Sequence, residues 1–176
     1  MQIKIIFADQ VLKRFGNRLG ALGSGKAKMV MSRAINHEGR KGYTQVKCVL
    51  VKQTGIKYGK IGSAVKNINS TPGNLNFIIE AKGEETSLSL FGAKQGKRGV
   101  SAAPWGKRRV FKSTFMRKGH VLRRVGKERY PIELLWGPNI AREIVKDESK
   151  AAFEQGSGKI ADRIAHEIDR VLMSGR

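Results

Sequence analysis

The segment of the sequence closest to a known catalytic motif is a glycine-rich stretch that ends in a lysine. Residues 20–27 read Gly-Ala-Leu-Gly-Ser-Gly-Lys-Ala, which is close to the GxxxxGK[ST] loop that holds nucleotide phosphates. Ala27 stands where that loop needs a hydroxyl group to hold magnesium, and the residues before it have helical rather than strand periodicity. We therefore expect a flexible link between two helices and no nucleotide hydrolysis.

Other patterns typical of catalysis or metal binding are missing from the sequence. The one cysteine, Cys48, has no partner for an internal disulfide, and the three histidines are too scattered for a zinc site. No GxSxG motif occurs, and the acidic residues gather toward the C-terminal end, where they resemble a solvated helix surface. The sequence thus predicts a protein that is not an enzyme and that needs no cofactor or metal.

Positive charge is the strongest signal in the composition. The 176 residues include 35 Lys and Arg against 14 Asp and Glu, a net charge of +21. Residues 1–79 hold 14 basic and 2 acidic residues, residues 80–127 hold 13 and 3, and residues 128–176 hold 8 and 9. Such a charge predicts an anionic partner for the first two thirds of the chain: nucleic acid, an anionic membrane face or an acidic protein surface.

The densest basic cluster lies between residues 107 and 129 and is interleaved with aromatic side chains. Arginine binds phosphate or carboxylate through two parallel hydrogen bonds, and a pair of strands could carry these residues on its outer face. We expect contact with an anionic partner, protein or DNA, through Lys107, Arg108, Arg109, Arg117, Lys118, Arg123, Arg124, Lys127 and Arg129. Lys112 belongs to the same run.

Hydrophobic periodicity predicts helices in residues 1–73. Val11, Leu12, Phe15, Leu19 and Leu22 follow one helical face after a cap at Asp9. Residues 26–53 are helical as well, and the pattern leaves open whether they form one helix or two. A further short helix is expected over 58–68, before a turn at residues 70–74.

The pattern changes to strands over residues 74–136 and returns to helices over 137–176. Alternation predicts strands at 75–81, at 88–90 after a hairpin turn, at 100–104, at 109–115, at 120–125 and at 132–136. Helices are expected at 139–153 and 160–172. The order predicts one α+β domain spanning 1–176: N-terminal helices, a mostly antiparallel sheet of about four to five strands and a long C-terminal helix.

Neither a transmembrane helix nor a secretory signal is expected. No run of about 18 apolar residues exists, and the N-terminal residues MQIKIIFADQ lack a cleavage-site pattern.

The stretch 124–138, RVGKERYPIELLWGP, is the most specific segment of the chain. It resembles the Arg-x-Gly-Lys-x-Arg-x-Pro-Ile…Gly-Pro signature of the bacteriophage minor tail protein Z family, the tail completion proteins. Thr54-Gly55-Ile56, Phe91 and Gly99-Val100 resemble further elements of that family, although Arg98 replaces a lysine. The matching signature residues are Arg124, Gly126, Lys127, Arg129, Pro131, Ile132, Gly137 and Pro138.

The resemblance implies a structural protein of a long-tailed phage virion, made in the host cytoplasm. It would complete the tail so that the tail can join the filled head, and it implies no cofactor and no catalytic residue. The partners would be other tail and neck proteins, with a homo-oligomeric ring and non-specific DNA contact as further expectations and no membrane partner. The signature would form a rigid corner, with Gly137-Pro138 ending a strand and Pro138 opening the next helix.

The alternative is a basic nucleic-acid-binding protein of the ribosomal-protein type. Net charge alone does not separate the two functions, because a phosphate backbone and an acidic protein surface both attract a basic protein. The nearly neutral last third favours assembly, since a subunit interface there would avoid repulsion between like charges.

Overall fold

The computed structural model describes residues 2–5, 15–20, 22–126 and 128–174, and it confirms the α+β fold class. The chain forms two compact units. The first, here the strand-rich unit, comprises residues 47–64 and 81–146, and the second, the helix-rich unit, comprises residues 2–46, 65–80 and 147 onward. The single-domain organisation stays a prediction.

The described helices begin with α1, at residues 15–20. Residues 26–53 belong to one helix of 31 residues, which settles the question that the sequence left open. The helices that follow are α2 (Ser24–Thr54), α3 (Tyr58–Ala64), α4 (Ile140–Glu143), α5 (Asp147–Ser157) and α6 (Ile160–Ser174).

The strands form four small antiparallel sheets within the described residues, in place of the one sheet expected. Their orders are β1-β3-β2, β5-β6-β7, β8-β9-β10 and the pair β4-β11. The strands are β1 (Gln2–Ile5), β2 (Val65–Ile68), β3 (Phe77–Ala81), β4 (Glu85–Ser87), β5 (Lys94–Gly96), β6 (Gly99–Ala102), β7 (Arg109–Lys112), β8 (Thr114–Arg117), β9 (His120–Arg124), β10 (Ile132–Leu134) and β11 (Trp136–Asn139).

The helix-rich unit is held by apolar faces that the sequence predicted. Val30, Met31, Ala34 and Ile35 of α2 are all buried. Ile164 and Ile168 of α6 belong to the same hydrophobic cluster as Phe15 and Leu19 of α1. Burial of each large aliphatic side chain contributes about 1.5–3 kcal/mol to the stability of the fold. The proposed cap Asp9 and the face residues Val11 and Leu12 lie outside the described residues.

Two glycines let neighbouring chains approach α2 within this unit. A Cβ on Gly39 would lie 2.6 Å from the ring of buried Phe77, and one on Gly42 would lie 2.8 Å from the ring of Phe153. The glycines that weaken helix propensity therefore serve packing, because only hydrogen at these positions leaves room for the two rings.

The observed elements differ from the predicted ones at three places. Residues 65–68, expected as helix, form β2 after α3 ends at Ala64. Residues 88–90, expected as strand, belong to a 3-10 helix over Leu88–Phe91 that buries Leu88 and Phe91 on one side. The hairpin expected around residue 84 is also wrong, because β3 pairs with β1 whereas β4 pairs with β11.

Two further elements are divided where the sequence predicted continuity. Residues 109–115 form β7 and β8 in different sheets, since Ser113 takes a φ of 57° between them. Residues 139–153 form α4 and α5, and the Asn139 side chain caps α4 by accepting a hydrogen bond from the backbone N–H of Arg142.

Candidate anionic-partner surface

Tight hairpins fix the positions of the predicted basic residues within the strand-rich unit. Residues 97–98 connect β5 to β6, and Lys118-Gly119 connects β8 to β9. Lys118 and Gly119 have φ values of 49° and 77°, the left-handed backbone that such two-residue turns require. The turn holds Arg117 and Lys118 at a defined end of the sheet.

The predicted contact residues are exposed wherever the structure describes them. Lys127 lies outside the described residues. The remaining eight, with Lys112, constitute the basic surface: Lys107, Arg108, Arg109, Lys112, Arg117, Lys118, Arg123, Arg124 and Arg129. They are divided between the two three-stranded sheets of this unit by the break at Ser113, so they do not lie on one strand pair as expected.

Strand register assigns each arginine of β9 to a face of its sheet. Cross-strand partners in an antiparallel pair share a face. Leu122 is opposite both Phe115 of β8 and Leu134 of β10, so these three half-buried side chains form an apolar row across the sheet. We call this row the apolar strip. Its face of the sheet is partly open to solvent.

Basic residues flank the apolar strip on both sides along the strands. On one side Arg124 shares its face, pairs with Ile132, and has its guanidinium 5.7 Å from the centre of the Phe115 ring. On the other side Arg117 pairs with His120, and both are exposed. A guanidinium over an aromatic ring is attracted by the ring's quadrupole, so Arg124 is oriented rather than freely rotating.

Arg123 lies on the opposite face and is already paired. Its Nη2 lies 3.1 Å from a carboxylate oxygen of Glu133, its cross-strand partner. The neighbouring positions on this face, Thr114 and Val121, are buried. Arg123 is therefore the member of the basic surface with the least free charge to offer a partner.

Arg108 and Arg109 are held by contacts on the other sheet. Arg108 Nη1 donates to the backbone oxygen of Gly92 at 3.3 Å and to Ser101 Oγ at 3.2 Å. The Arg109 guanidinium lies 5.3 Å from the Trp105 ring centre and 4.8 Å from that of Phe111. Both therefore present their charge with reduced side-chain freedom, which lowers the entropic cost of binding.

Trp105 is anchored by a buried carboxylate that the sequence did not reveal. Its Nε1 donates to Glu143 Oε1 at 3.1 Å, and Lys146 Nζ and Gln53 Nε2 also donate to this carboxylate. Glu143 is 4% exposed, so these hydrogen bonds compensate for its desolvation. The expectation that the acidic residues of the C-terminal helices are solvated is therefore wrong for Glu143, and also for Glu167, which is 2% exposed.

The signature residues do not form the single corner that the sequence suggested. Arg124, Gly126, Arg129, Pro131 and Ile132 belong to the β9–β10 hairpin, where the Val125 backbone N–H donates to the Pro131 oxygen at 3.2 Å. The Tyr130–Pro131 peptide is cis, and the Arg129 guanidinium lies 5.8 Å from the Tyr130 ring centre.

Gly137 and Pro138 lie in a different sheet, so the expected strand end and helix start at these two residues are wrong. Both belong to β11, which pairs with β4. A Cβ on Gly137 would lie 2.6 Å from the ring of Phe91. The reason for glycine is therefore close packing rather than the end of a strand.

The helix-rich unit carries a second basic site that the sequence analysis did not identify. A groove of about 540 Å³ is lined by Arg33, Asn36, His37, Arg40, Lys41, Arg163, Glu167 and Arg170. On α2, Arg33, His37 and Lys41 lie four positions apart and Arg40 lies seven after Arg33, while Arg163 and Arg170 lie seven apart on α6. These spacings place side chains on one face of a helix. That spacing, together with the strong positive charge of residues 1–79, was the available signal.

Two buried carboxylates hold basic side chains of this groove. Glu38, 2% exposed, contacts Lys41 Nζ and His37 Nδ1, both at 2.8 Å. Burial raises the pKa of Glu38, but the hydrogen bonds from Lys41 and His37 and their positive charges outweigh burial and hold its pKa below the ordinary 4.5. Glu167, also 2% exposed, pairs with Arg163 one helical turn away, and lies 3.9 Å from Arg170.

We expect Glu38→Gln to remove a pH-dependent part of the stability. Because the folded pKa lies below the unfolded value, these contacts stabilise the fold above about pH 4.5 and are lost as the pH falls through the folded pKa. The variant should lose about 1 kcal/mol at neutral pH. Urea unfolding of both proteins at neutral and at acid pH should show this difference shrinking as the pH falls through the folded pKa.

The matched control for Glu38→Gln is Glu154→Gln, which alters an exposed carboxylate of α5. It should leave the free energy of unfolding nearly unchanged at both pH values. A Glu38→Gln difference that stays constant from neutral to acid pH would contradict the role of the ionised carboxylate.

Comparison with known proteins adds no relative: no family model, curated protein or solved structure matches this chain. Within the described residues, no helix is long and apolar enough to cross a membrane. Among the same residues, no group of three or more His, Cys, Asp or Glu side chains could hold a metal ion.

Proposed function

We propose that this chain is a structural protein of a long-tailed phage virion, which completes the tail and supports joining of the tail to the filled head. The proposal starts from the resemblance of residues 124–138 to the tail completion proteins. Within the virion, the chain would dock on an acidic surface of a neighbouring tail or neck protein. It would act by binding and would catalyse no reaction.

The observation that carries this proposal is the apolar strip with basic residues on both sides of it. Protein interfaces typically combine an apolar centre with a polar rim, and arginine is enriched among their residues. Phe115, Leu122 and Leu134 supply the centre, while Arg117 and Arg124 supply charge beside it. A surface for the phosphate backbone alone would not need the partly open apolar row.

The alternative function, nucleic-acid binding, is favoured by a different set of residues. Lys94 and Lys112 are exposed on the β5-β6-β7 sheet, and Lys97 and Arg98 form its exposed turn. Cations of this kind bind phosphate without reading bases, and their affinity falls steeply as salt releases counterions. The two functions therefore predict different responses to the same charge reversal.

Reversal of the two arginines beside the apolar strip should impair tail joining. We expect Arg117→Glu/Arg124→Glu to lower the yield of joined particles by at least about tenfold, since like charges would then face an acidic partner. The measurement adds purified variant to extracts that contain filled heads and tails but lack this chain, and counts infectious particles. DNA affinity across a salt series is measured in parallel.

The control is Lys26→Glu/Lys28→Glu, which makes the same change in net charge at exposed positions of α2, outside the basic surface. It should leave joining intact. If joining by Arg117→Glu/Arg124→Glu is normal while its DNA affinity collapses, the chain is a nucleic-acid-binding protein. If neither property changes, the basic surface is only solvated.

We further propose that the chain acts as a homo-oligomeric ring in the tail or neck. Tails are built on rotational symmetry, and a head-to-tail contact that closes produces a ring. Residues 128–176 carry nearly balanced charge, so contacts between copies through this part would avoid strong repulsion. Electron microscopy of the parent particle tests both the location and the ring.

A further inference from the structure

The groove of the helix-rich unit presents two rows of guanidinium groups. Arg33 and Arg40 are seven residues apart on α2, and Arg163 and Arg170 are seven residues apart on α6. Seven residues of α-helix rise about 10.5 Å, and side chains at this spacing lie on nearly the same face. Each helix therefore contributes two positive charges at the same separation along the groove.

Part of this charge is not neutralised by the protein. Lys41 is paired with Glu38, and Arg163 and Arg170 are paired with Glu167. Among the described residues, neither Arg33 nor Arg40 makes an ion pair, and both side chains are exposed. The five Lys and Arg side chains that line the groove outnumber the two carboxylates paired with them, Glu38 and Glu167, so an anion would meet a net positive field.

The second row is held in a buried network. Arg163 and Arg170 pair with Glu167, and the Arg163 Nε and the Glu167 Oε2 are themselves buried. Asn36 is held in place because its amide donates to the Ser70 oxygen and accepts from the Ser70 N–H. The wall of the groove is therefore fixed, while the exposed guanidinium groups of Arg33 and Arg40 remain available.

From this arrangement we propose that the groove binds a phosphodiester backbone. A guanidinium group binds phosphate oxygens through paired hydrogen bonds. The rise of about 10.5 Å between arginines of one row places two positive charges along a path that one phosphodiester chain, which carries a negative charge at every nucleotide, can follow. A single carboxylate or phosphate would occupy one guanidinium, whereas a phosphodiester chain reaches both members of a row. Contacts are to phosphate, so binding does not depend on base sequence.

The experiment measures binding of the full chain to a fluorescent oligothymidylate of about twelve nucleotides, by anisotropy across a salt series. We expect Arg33→Ala/Arg40→Ala to weaken binding at least about tenfold and to lower the salt slope by about 1.4, since each phosphate contact on a single strand contributes about 0.7. Arg33→Lys/Arg40→Lys keeps the charge but loses the fork geometry, so it should recover only part of the affinity.

The matched control is Lys26→Ala/Lys28→Ala, which removes two exposed charges from the same helix outside the groove. It should leave the affinity within about threefold of the wild type. Equal losses in both double variants would overturn the proposal, because binding would then follow net charge alone. Circular dichroism of each variant confirms that the fold is retained.

Two competitors distinguish the ligand classes. Inorganic phosphate should displace the oligonucleotide only weakly, because a single phosphate ion can contact only one of the two guanidinium groups in a row. Strong displacement by phosphate at low concentration would overturn the phosphodiester assignment in favour of free phosphate as the ligand. A glutamate-rich peptide that binds more tightly than the oligonucleotide, and loses affinity in Arg33→Ala/Arg40→Ala, would overturn the proposal in favour of an acidic protein partner. The assays need no phage particle, so their outcome is independent of the tail-joining result.

Discussion

Gly99→Ala should destabilise the strand-rich unit more than any other glycine-to-alanine substitution in that unit. Gly99 begins β6 with a φ of 133°, and an added Cβ would lie 2.0 Å from the backbone oxygen of Phe111. The same position is 3.2 Å from Thr114 Oγ1, which accepts from the Val100 N–H and donates to that Phe111 oxygen. The methyl group would force apart the residues that join β6, β7 and β8.

The expected loss is about 3–4 kcal/mol, from the backbone strain of a non-glycine residue at this φ and from the steric overlap. Thermal and urea unfolding measure it. Gly62→Ala is the control, because Gly62 lies in α3 and a Cβ there meets nothing within 4 Å. That variant should be as stable as the wild type or slightly more stable. Equal melting temperatures for the two variants would contradict the packing argument.

Gly156→Ala should produce the second large effect, in the helix-rich unit. A Cβ on Gly156 of α5 would lie 2.6 Å from Gly42 Cα and 2.9 Å from Gly42 N, both backbone atoms of α2. Backbone atoms cannot rotate away, so one helix must shift. We expect a loss of about 2–3 kcal/mol, which exceeds the gain in helix propensity of at most about 1 kcal/mol.

Gly158→Ala provides a matched control two residues away, where the nearest atom is 3.4 Å from the added Cβ. Gly42→Ala should also destabilise the fold, and the double variant Gly42→Ala/Gly156→Ala should lose less than the sum of the single variants. Both methyl groups disturb one contact, so their costs are coupled. Additive losses measured by urea unfolding would show that the two glycines do not share a contact.

Elements with many residues of one period were predictable from the sequence. Ile164 and Ile168 of α6 are buried because each lies on a face repeated over several turns, and the alternation of Phe77 and Ile79 in β3 is equally regular. Leu88 and Leu90 offered only two alternating positions. In such a short segment, the spacing of three between Leu88 and Phe91 indicates a 3-10 helix as strongly as the spacing of two between Leu88 and Leu90 indicates a strand. The structure uses the spacing of three, and the 3-10 helix buries both Leu88 and Phe91.

The break in the basic surface had no sequence signal. Ser113 adopts a left-handed conformation that usually selects glycine or asparagine, so nothing marked the end of β7. The Thr114 hydroxyl stabilises the break by bonding to atoms of both neighbouring strands. Such tertiary contacts determine where strands end, and the strand propensities of the individual residues carry no information about them.

The sites were only partly predictable, for a related reason. The basic surface was found because its residues are dense along the chain, whereas the groove joins residues 33–41 to residues 163–170. Two stretches so far apart produce no local peak of charge. The buried carboxylates Glu38, Glu143 and Glu167 escaped notice because burial depends on neighbours from distant segments.

The division into four small sheets has a consequence for the order of folding. In the β5-β6-β7 and β8-β9-β10 sheets each strand pairs with its neighbour in sequence, so only short loops must close. The pairing of β1 with β3 instead joins residues as far as 78 positions apart, Gln2 and Glu80. Strand β4 likewise pairs only with β11, which is far along the chain. Loop closure costs more entropy as the loop lengthens. The two meanders should therefore gain protection from hydrogen exchange early in refolding, and β1 and β4 should become protected last.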